Sequence, residues 1–153
     1  MIWVTRVRPK TDRIACPWLI LKFIDPSAEI VYVAAEDVVG EALRRNGHSF
    51  DAPNAEFGHR SPQDGAGELC TFETLIEAYE LAGDAALARL AKIVHAADIT
   101  EDLGTDPVGA GLLAIGLGGL QVEDDDLVLL ERQLFVYDAL YAWCAGRLEV
   151  GAA

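Results

Sequence analysis

Four residues in the middle of the chain have the types and spacing of a metal site. Glu56 and His59 lie in a segment rich in proline, glycine, asparagine and aspartate, whereas His95 and Asp98 lie three residues apart in a helical pattern. Residues at this spacing share one face of a helix, and a divalent transition metal accepts imidazole nitrogen and carboxylate oxygen together. We therefore predict a metal site formed by Glu56, His59, His95 and Asp98, with the identity of the metal open. The alternative is a solvated helix face and a loop histidine that caps local backbone.

A second set of reactive side chains lies in residues 11–25, with the sequence TDRIACPWLILKFID. Cys16 precedes a proline, and proline is best tolerated at the first position of a helix, so we predict a helix over residues 17–24 with Cys16 at its N-cap. A helix N-terminus and the nearby Arg13 would stabilise a thiolate, which makes Cys16 and Asp12 candidates for a redox role or for supporting the metal ligands. The alternatives are a helix that starts at Asp12, and a cysteine that is only a small buried core residue.

The start of the chain is basic, whereas the chain as a whole is acidic. Residues 1–22 carry five basic residues and one acid, but the net charge of the whole chain is −13. Guanidinium groups match an oxyanion in a bidentate way, so Arg6 and Arg13 are candidate oxyanion ligands. The alternative is a structural ion pair, for which Asp138 is a candidate partner. An acidic excess repels a phosphate backbone, so we expect no nucleic acid to bind this chain alone.

Cysteine usage and hydropathy indicate the compartment. The three cysteines are widely spaced and include no CxxC pair, which is typical of reduced thiols. The N-terminus has charge too early, and too short an apolar run, for a signal peptide. The longest apolar stretch, residues 107–122, is glycine-rich and shorter than the roughly 20 residues that span a bilayer. We therefore expect a cytoplasmic protein with no membrane partner.

The candidate ligands have to be positioned by a small sheet and a set of helices. β-branched, apolar runs predict strands at residues 2–7, 29–34 and 48–50, and the helix between the first two makes a βαβ unit. Residues 51–68 are expected to form a long loop. We expect one domain over residues 1–153, of α+β class and predominantly helical, with a small N-terminal βαβ-type sheet followed by a bundle of about four helices. Apolar residues at three- and four-residue spacing predict the remaining helices over residues 36–45, 71–81, 84–99, 107–120 and 124–148.

The last helix carries an apolar stripe that favours a core position. An alternative is that part of this stripe packs on a partner chain, so a homo-oligomer or a helical interaction module stays open. The predicted core stripe comprises Leu127, Leu130, Leu134, Tyr137, Tyr141, Cys144 and Leu148.

Six segments of the chain can be compared with known families. They are WVTR at residues 3–6, DRIACPWLI at 12–20, FID at 23–25, EFGH at 56–59, IVHAAD at 93–98 and YDALYAWC at 137–144. This pattern resembles the chromate-resistance family, in particular the C-terminal domain of ChrB-type proteins, and it covers nearly the whole chain. The resemblance implies a role in bacterial resistance to chromate stress, where longer relatives resemble regulators that respond to chromate. Such regulators carry an additional N-terminal region, whereas this sequence begins directly at WVTR, so we expect no DNA-binding regulation by this chain itself.

Two classes of function stay open on this basis. The family pattern and the candidate ligands favour a cytoplasmic chromate-resistance domain that binds a metal ion or an oxyanion, as a sensor or accessory protein. The second class is a metal-dependent enzyme, either an oxidoreductase acting on chromate or its by-products or a hydrolase, with Glu56 or Asp12 as acid or base. The sequence assigns no catalytic residue, and it does not decide between the two classes.

Overall fold

The N-terminal part of the chain forms a small parallel sheet. A computed structural model describes residues 1–61 and 67–149, with backbone only for residues 148–149. The middle of the central strand is buried, as expected for a parallel strand covered on both faces. The predicted βαβ order is confirmed, because both neighbours run parallel to this strand. The central strand is β1 (Ile2–Arg6), and it lies between β2 (Glu29–Val33) and β3 (His48–Ser49).

The rest of the described chain is predominantly helical, which confirms the predicted α+β class. None of the helices in the described residues is long and apolar enough to cross a membrane. The helices are α1 (Asp12–Leu19) with a π-helical extension (Ile20–Ile24), α2 (Val38–Arg44) after a short 3-10 turn (Ala35–Asp37), α3 (Thr71–Ala78), α4 (Ala85–Asp98), a 3-10 segment (Thr100–Thr105), α5 (Pro107–Val122) and α6 (Asp126–Glu149).

Helix α1 starts at Asp12, so the prediction of a helix starting at the proline is wrong and the alternative start is the one observed. Pro17 lies inside the helix and has no N–H to donate to the carbonyl of Arg13. That carbonyl instead accepts a hydrogen bond from the Tyr32 hydroxyl at 2.7 Å. A partner on β2 therefore compensates for the bond that proline removes.

Cys16 consequently lies within α1 and not at an N-cap. Its side chain is fully buried, and burial together with the nearby charge of Asp12 raises the pKa of the thiol well above its usual value. The predicted N-cap position of Cys16 is therefore wrong, because the helix begins at Asp12, four residues before Cys16. Cys16 is a core residue of α1.

Helix α4 is the central element of the helical core. It packs against α5 and α6, and its side chains Leu87, Leu90 and Ile93 are fully buried. In the predicted stripe of α6, Leu130, Tyr137 and Cys144 are buried, whereas Leu134 and Tyr141 pack against the core from its edge. The buried members of the stripe therefore belong to the core, as predicted.

The buried stripe of α6 begins at Leu129 and not at Leu127. Leu127 is 55% exposed, so its assignment to the core is wrong, and Leu129 is buried in the first turn instead. The buried side chains of Leu129, Gln133 and Tyr137 follow a four-residue spacing that does not include Leu127. The side chain of Leu148 lies outside the described residues.

Candidate metal centre

His59 lies at the centre of a group of aspartates. Its Nε2 atom is 2.8 Å from Asp98 Oδ2, 3.4 Å from Asp12 Oδ2 and 3.6 Å from Asp51 Oδ1. One ring nitrogen carries at most one proton, so it cannot satisfy three carboxylates by hydrogen bonding. One ligand atom each of Asp12, His59 and Asp98 lies within 4.8 Å of the others. We call these three residues the aspartate cluster.

Three different elements position the aspartate cluster. Asp12 is the first residue of α1, Asp98 is the last residue of α4, and His59 lies in the loop after β3. Asp12 Oδ2 accepts a hydrogen bond of 2.8 Å from the backbone N–H of Thr71, the first residue of α3. The positive end of a helix dipole therefore faces this carboxylate. The other oxygen, Oδ1, is buried and has no hydrogen-bond partner among the described residues.

Asp51 connects this cluster to the predicted oxyanion ligands. Arg6 donates from Nε to the Asp51 backbone oxygen at 2.8 Å, and its Nη2 lies 3.4 Å from Asp51 Oδ2. The Nε atom of Arg13 is also 3.4 Å from Asp51 Oδ2. The structure thus brings Arg6 and Arg13 together on Asp51.

The candidate partner Asp138 does not pair with Arg13. Asp138 accepts hydrogen bonds from Trp18 Nε1 and Lys22 Nζ, each at 2.8 Å, and so joins α6 to α1 further along the helix. Arg13 instead pairs with Asp51 and donates to the backbone oxygen of Val7 at 2.9 Å. The cause is the earlier start of α1, which places Arg13 at the sheet end of the helix.

The electrostatics of the aspartate cluster favour a positive charge between the carboxylates. Burial raises the pKa of Asp12 above its usual range, the negative charge of Asp98 raises it further, and contact with His59 partly opposes both effects. Contacts with Asp12 and Asp98 raise the pKa of His59 above its usual range. Asp12 and Asp98 therefore stabilise the protonated form of the imidazole.

An open cavity of about 740 Å³ adjoins His59. Arg6, Asp51, Glu56 and Arg60 also line it, so its wall carries charges of both signs. The side chain of Arg6 is 37% exposed there, whereas that of Asp12 is only 1% exposed. A small polar molecule can therefore reach the His59 side of the cluster from solvent, with Asp12 on the inner side.

A second group surrounds the other helical histidine. His95 Nδ1 lies 2.5 Å from Glu73 Oε1, and His95 Nε2 lies 2.7 Å from Asp102 Oδ2. Glu73 Oε1 also accepts from the backbone N–H of Cys70 at 3.0 Å, as part of a capping box at the start of α3. One ligand atom each of Cys70, Glu73 and His95 lies within 4.8 Å of the others. We call these three residues the cysteine cluster.

The structure separates the four ligands predicted from the sequence. It brings His59 and Asp98 together, but His95 belongs to the cysteine cluster and Glu56 contacts His48 Nδ1 at 2.8 Å. Residues three apart on a helix differ in direction by about 60°, so His95 and Asp98 can face different partners. Nothing in the sequence pattern indicated that Cys70 and Glu73 lie beside His95.

Asp51 and Asp102 were also missed, and only one of them carries a usable signal. Asp51 follows β3 closely and Arg6 ends β1, so both lie at the carboxyl end of parallel strands, where polar site residues often collect. Asp102 lies in the 3-10 segment after α4, which the sequence pattern did not predict.

A predominantly helical α+β fold with two clusters of histidine and acidic residues defines a candidate metal-binding domain. Comparison with known proteins places the chain in a family. The family described as "ChrB, C-terminal domain" matches residues 3–144. The chain is also 34% identical over 141 residues to protein ChrB of Cupriavidus metallidurans (strain CH34), an alignment that covers 91% of this chain and 39% of that protein.

The chain therefore belongs to the ChrB C-terminal domain family of chromate-resistance proteins, which confirms the resemblance found in its sequence segments. It spans about two fifths of the length of the relative. No solved structure matches the chain.

Proposed function

We propose that this domain binds a divalent transition metal at the aspartate cluster and acts in the cytoplasm as a sensor or accessory protein in the response to chromate. The observation that carries the proposal is the convergence of three carboxylates on one imidazole nitrogen, at 2.8 to 3.6 Å. Buried charge without a partner is costly, and a divalent cation would offset it better than a single shared proton. Family membership supports the link to chromate, and the free, buried thiols of the chain fit a reducing compartment.

The ligand types suggest the class of metal. One imidazole and two carboxylates suit hard or borderline divalent ions such as Mn²⁺, Fe²⁺ or Zn²⁺. The unpartnered Oδ1 of Asp12 supports this assignment, because a buried carboxylate oxygen without a donor is what a cation would satisfy. Three protein ligands would leave coordination positions open for a small molecule.

Those open positions suggest how an oxyanion could be sensed. Arg6 and His59 line the same cavity, so an anion that enters it faces a guanidinium group beside the metal ligands. Arg13 lies behind Arg6 on the same aspartate, Asp51, and adds positive charge to this side of the site. In this proposal a chromate-type oxyanion binds where the metal and Arg6 meet.

The test uses Mn²⁺ as a probe, because oxygen and nitrogen ligands suit this ion and thiolates do not. Purified, metal-free chain is titrated with Mn²⁺ and followed by electron paramagnetic resonance, which reports the free ion. We expect His59→Ala to weaken Mn²⁺ binding by about 100-fold or more, since loss of a supporting partner alone typically costs 10- to 100-fold.

Glu56→Gln is the matched control. It changes a charged residue of the same loop and cavity wall that contacts His48 and not the aspartate cluster. Its Mn²⁺ affinity should equal that of the wild type. Equal affinities for wild type and His59→Ala would overturn the metal assignment, and chromate binding that is unchanged by Mn²⁺ and by Arg6→Gln would overturn the sensing role.

A metal-dependent enzyme is a second candidate, favoured by the cavity of about 740 Å³ beside a set of only three ligands. An open coordination position can activate water or polarise an oxyanion. The metal-loaded chain would then turn over chromate in the presence of a reductant, or hydrolyse an ester, and His59→Ala would abolish this activity. Turnover that is indifferent to His59→Ala would remove this mechanism.

A further inference from the structure

We infer that Cys70, Glu73 and His95 form a second metal site, for a thiophilic divalent ion such as Zn²⁺, and that Asp102 orients the histidine. The site is separate from the aspartate cluster and does not depend on the function proposed above. Its ligands come from the first turn of α3 and from the last turn of α4.

His95 lies between two carboxylates. Both ring nitrogens contact carboxylates, Nε2 at 2.7 Å from Asp102 and Nδ1 at 2.5 Å from Glu73. In the metal-free protein an imidazolium can donate to both carboxylates. A metal ion would replace the proton on Nδ1, with Glu73 Oε1 as a second ligand, while Nε2–H still donates to Asp102. A carboxylate that accepts from the far nitrogen of a metal-bound histidine is a recurrent feature of zinc sites.

Helix α3 starts with an unusual capping residue, a cysteine. Cys70 is the N-cap and Glu73 is the third helical residue of a capping box. Serine, threonine, aspartate and asparagine are the favoured caps, because sulfur is a weak acceptor. A cysteine caps this helix poorly but is a strong ligand for a borderline or soft metal. The same local geometry brings its sulfur within 4.8 Å of the Glu73 and His95 ligand atoms.

The cysteine cluster is close to the size of a zinc site and is open to solvent on one side. Ligand atoms of tetrahedral zinc are about 3.3 to 3.8 Å apart, given zinc bond lengths of about 2.0 to 2.3 Å. The ligand atoms lie within 4.8 Å of one another, so no large backbone movement is needed. The 2.5 Å contact between His95 Nδ1 and Glu73 Oε1 would have to lengthen by about 0.8 Å as the ion enters. Cys70 is buried on the inner side, whereas the side chains of His95 and Glu73 are 18% and 22% exposed. An ion can therefore enter from the solvent side and meet the thiol last.

The thiol also sets the metal preference of this site apart from that of the aspartate cluster. Soft thiolate ligands select Zn²⁺ or Co²⁺, whereas a set of carboxylates and imidazole also accepts Mn²⁺. The two sites can therefore be loaded and observed separately. This difference makes the inference testable without reference to any activity of the protein.

The test is titration of the full chain with Co²⁺ under reducing conditions, because a thiolate bound to Co²⁺ gives a charge-transfer absorption band in the near ultraviolet. We expect this band in the wild type and its loss in Cys70→Ser. Serine is the better N-cap, so Cys70→Ser should fold at least as stably as the wild type in a thermal melt. Glu73→Gln also retains the capping box while it removes the charged ligand. It should lower the Co²⁺ affinity, measured from the absorption band, by about 10-fold or more.

Two controls separate this inference from others. Cys16→Ala should retain the band, because Cys16 lies within α1 and is not among the clustered ligands. His59→Ala should lose Mn²⁺ binding and retain the band. The second site would be overturned if the wild type showed no band, or if Cys70→Ser retained it. A normal Co²⁺ band in a protein that binds no Mn²⁺ would overturn only the metal assignment of the aspartate cluster.

Discussion

The two clusters use the same pair of helix ends in different ways. Both take one ligand from the last turn of α4 and both involve the N-terminus of α3. The cysteine cluster is local at α3, where a capping box already sets Cys70 beside Glu73. The aspartate cluster needs α1, a long loop and α4 to meet, and its key contact, from Thr71 to Asp12, joins residues 59 positions apart. Secondary structure therefore sets two of the three residues of the cysteine cluster, whereas the tertiary fold brings together every member of the aspartate cluster.

Charge distinguishes the clusters as well. The aspartate cluster has two arginines close by on Asp51, and its buried Asp12 keeps one oxygen without a partner among the described residues. In the cysteine cluster, burial lowers the pKa of His95, but the contacts with Glu73 and Asp102 outweigh burial and raise it. Burial and the charge of Asp12 raise the pKa of the Cys70 thiol well above its usual value, so a metal ion would have to displace its proton.

The largest expected effect is the loss of Mn²⁺ affinity on substitution of Asp12. Two substitutions distinguish the role of its charge from the role of its hydrogen bond. Asp12→Asn retains an oxygen that can accept from the Thr71 N–H, so we expect stability close to that of the wild type and an Mn²⁺ affinity lower by about 100-fold or more. Asp12→Ala leaves that buried N–H without an acceptor and should lower the free energy of unfolding by about 1–3 kcal/mol. Urea denaturation of metal-free protein and Mn²⁺ titration check both values. Equal Mn²⁺ affinity in Asp12→Asn and wild type would remove Asp12 from the ligands.

The next effect concerns Asp102, which belongs only to the cysteine cluster. Asp102→Asn weakens the contact that fixes His95 but removes no metal ligand. We expect Co²⁺ affinity to fall by about 10- to 100-fold while the thiolate band retains its shape, with Mn²⁺ affinity unchanged. The measurement is the Co²⁺ absorption titration with a competing chelator. A change in Mn²⁺ affinity of similar size would show that the two sites are not independent.

The smallest expected effect follows from loss of the hydrogen bond between Tyr32 and α1. Tyr32→Phe removes the hydrogen bond to the Arg13 carbonyl that Pro17 leaves free, and it should cost about 0.5–1.5 kcal/mol of stability. Because Arg13 adjoins Asp12, Mn²⁺ binding should weaken slightly and the Co²⁺ band should not change. Urea denaturation measures the cost, and an unchanged midpoint would show that this hydrogen bond does not stabilise the start of α1.

Local signals predicted most of the fold. Hydrophobic periodicity, Asp106 before Pro107 and the β-branched runs predicted the sheet and the later helices within a few residues. The start of α1 was mispredicted because the partner of its free carbonyl, Tyr32, lies on another element. Local sequence rules cannot predict that a distant side chain will satisfy the carbonyl that an internal proline leaves without a donor.

The candidate site was less predictable, for the same reason. The sequence indicated His59, Asp98 and His95 by residue type, and spacing alone could not show that α4 turns its last two polar residues toward different neighbours. Asp12 was expected to have a supporting role, and only the folded chain shows that it lies beside His59.

The most direct test of the account is a crystal structure of the chain grown with Mn²⁺, with anomalous difference maps collected near the manganese absorption edge. We predict one strong peak within roughly 2 Å of oxygens of Asp12 and Asp98 and of His59 Nε2. The absence of a peak between these residues, or a peak found only at Glu73 and His95, would contradict the assignment of the aspartate cluster as the metal site.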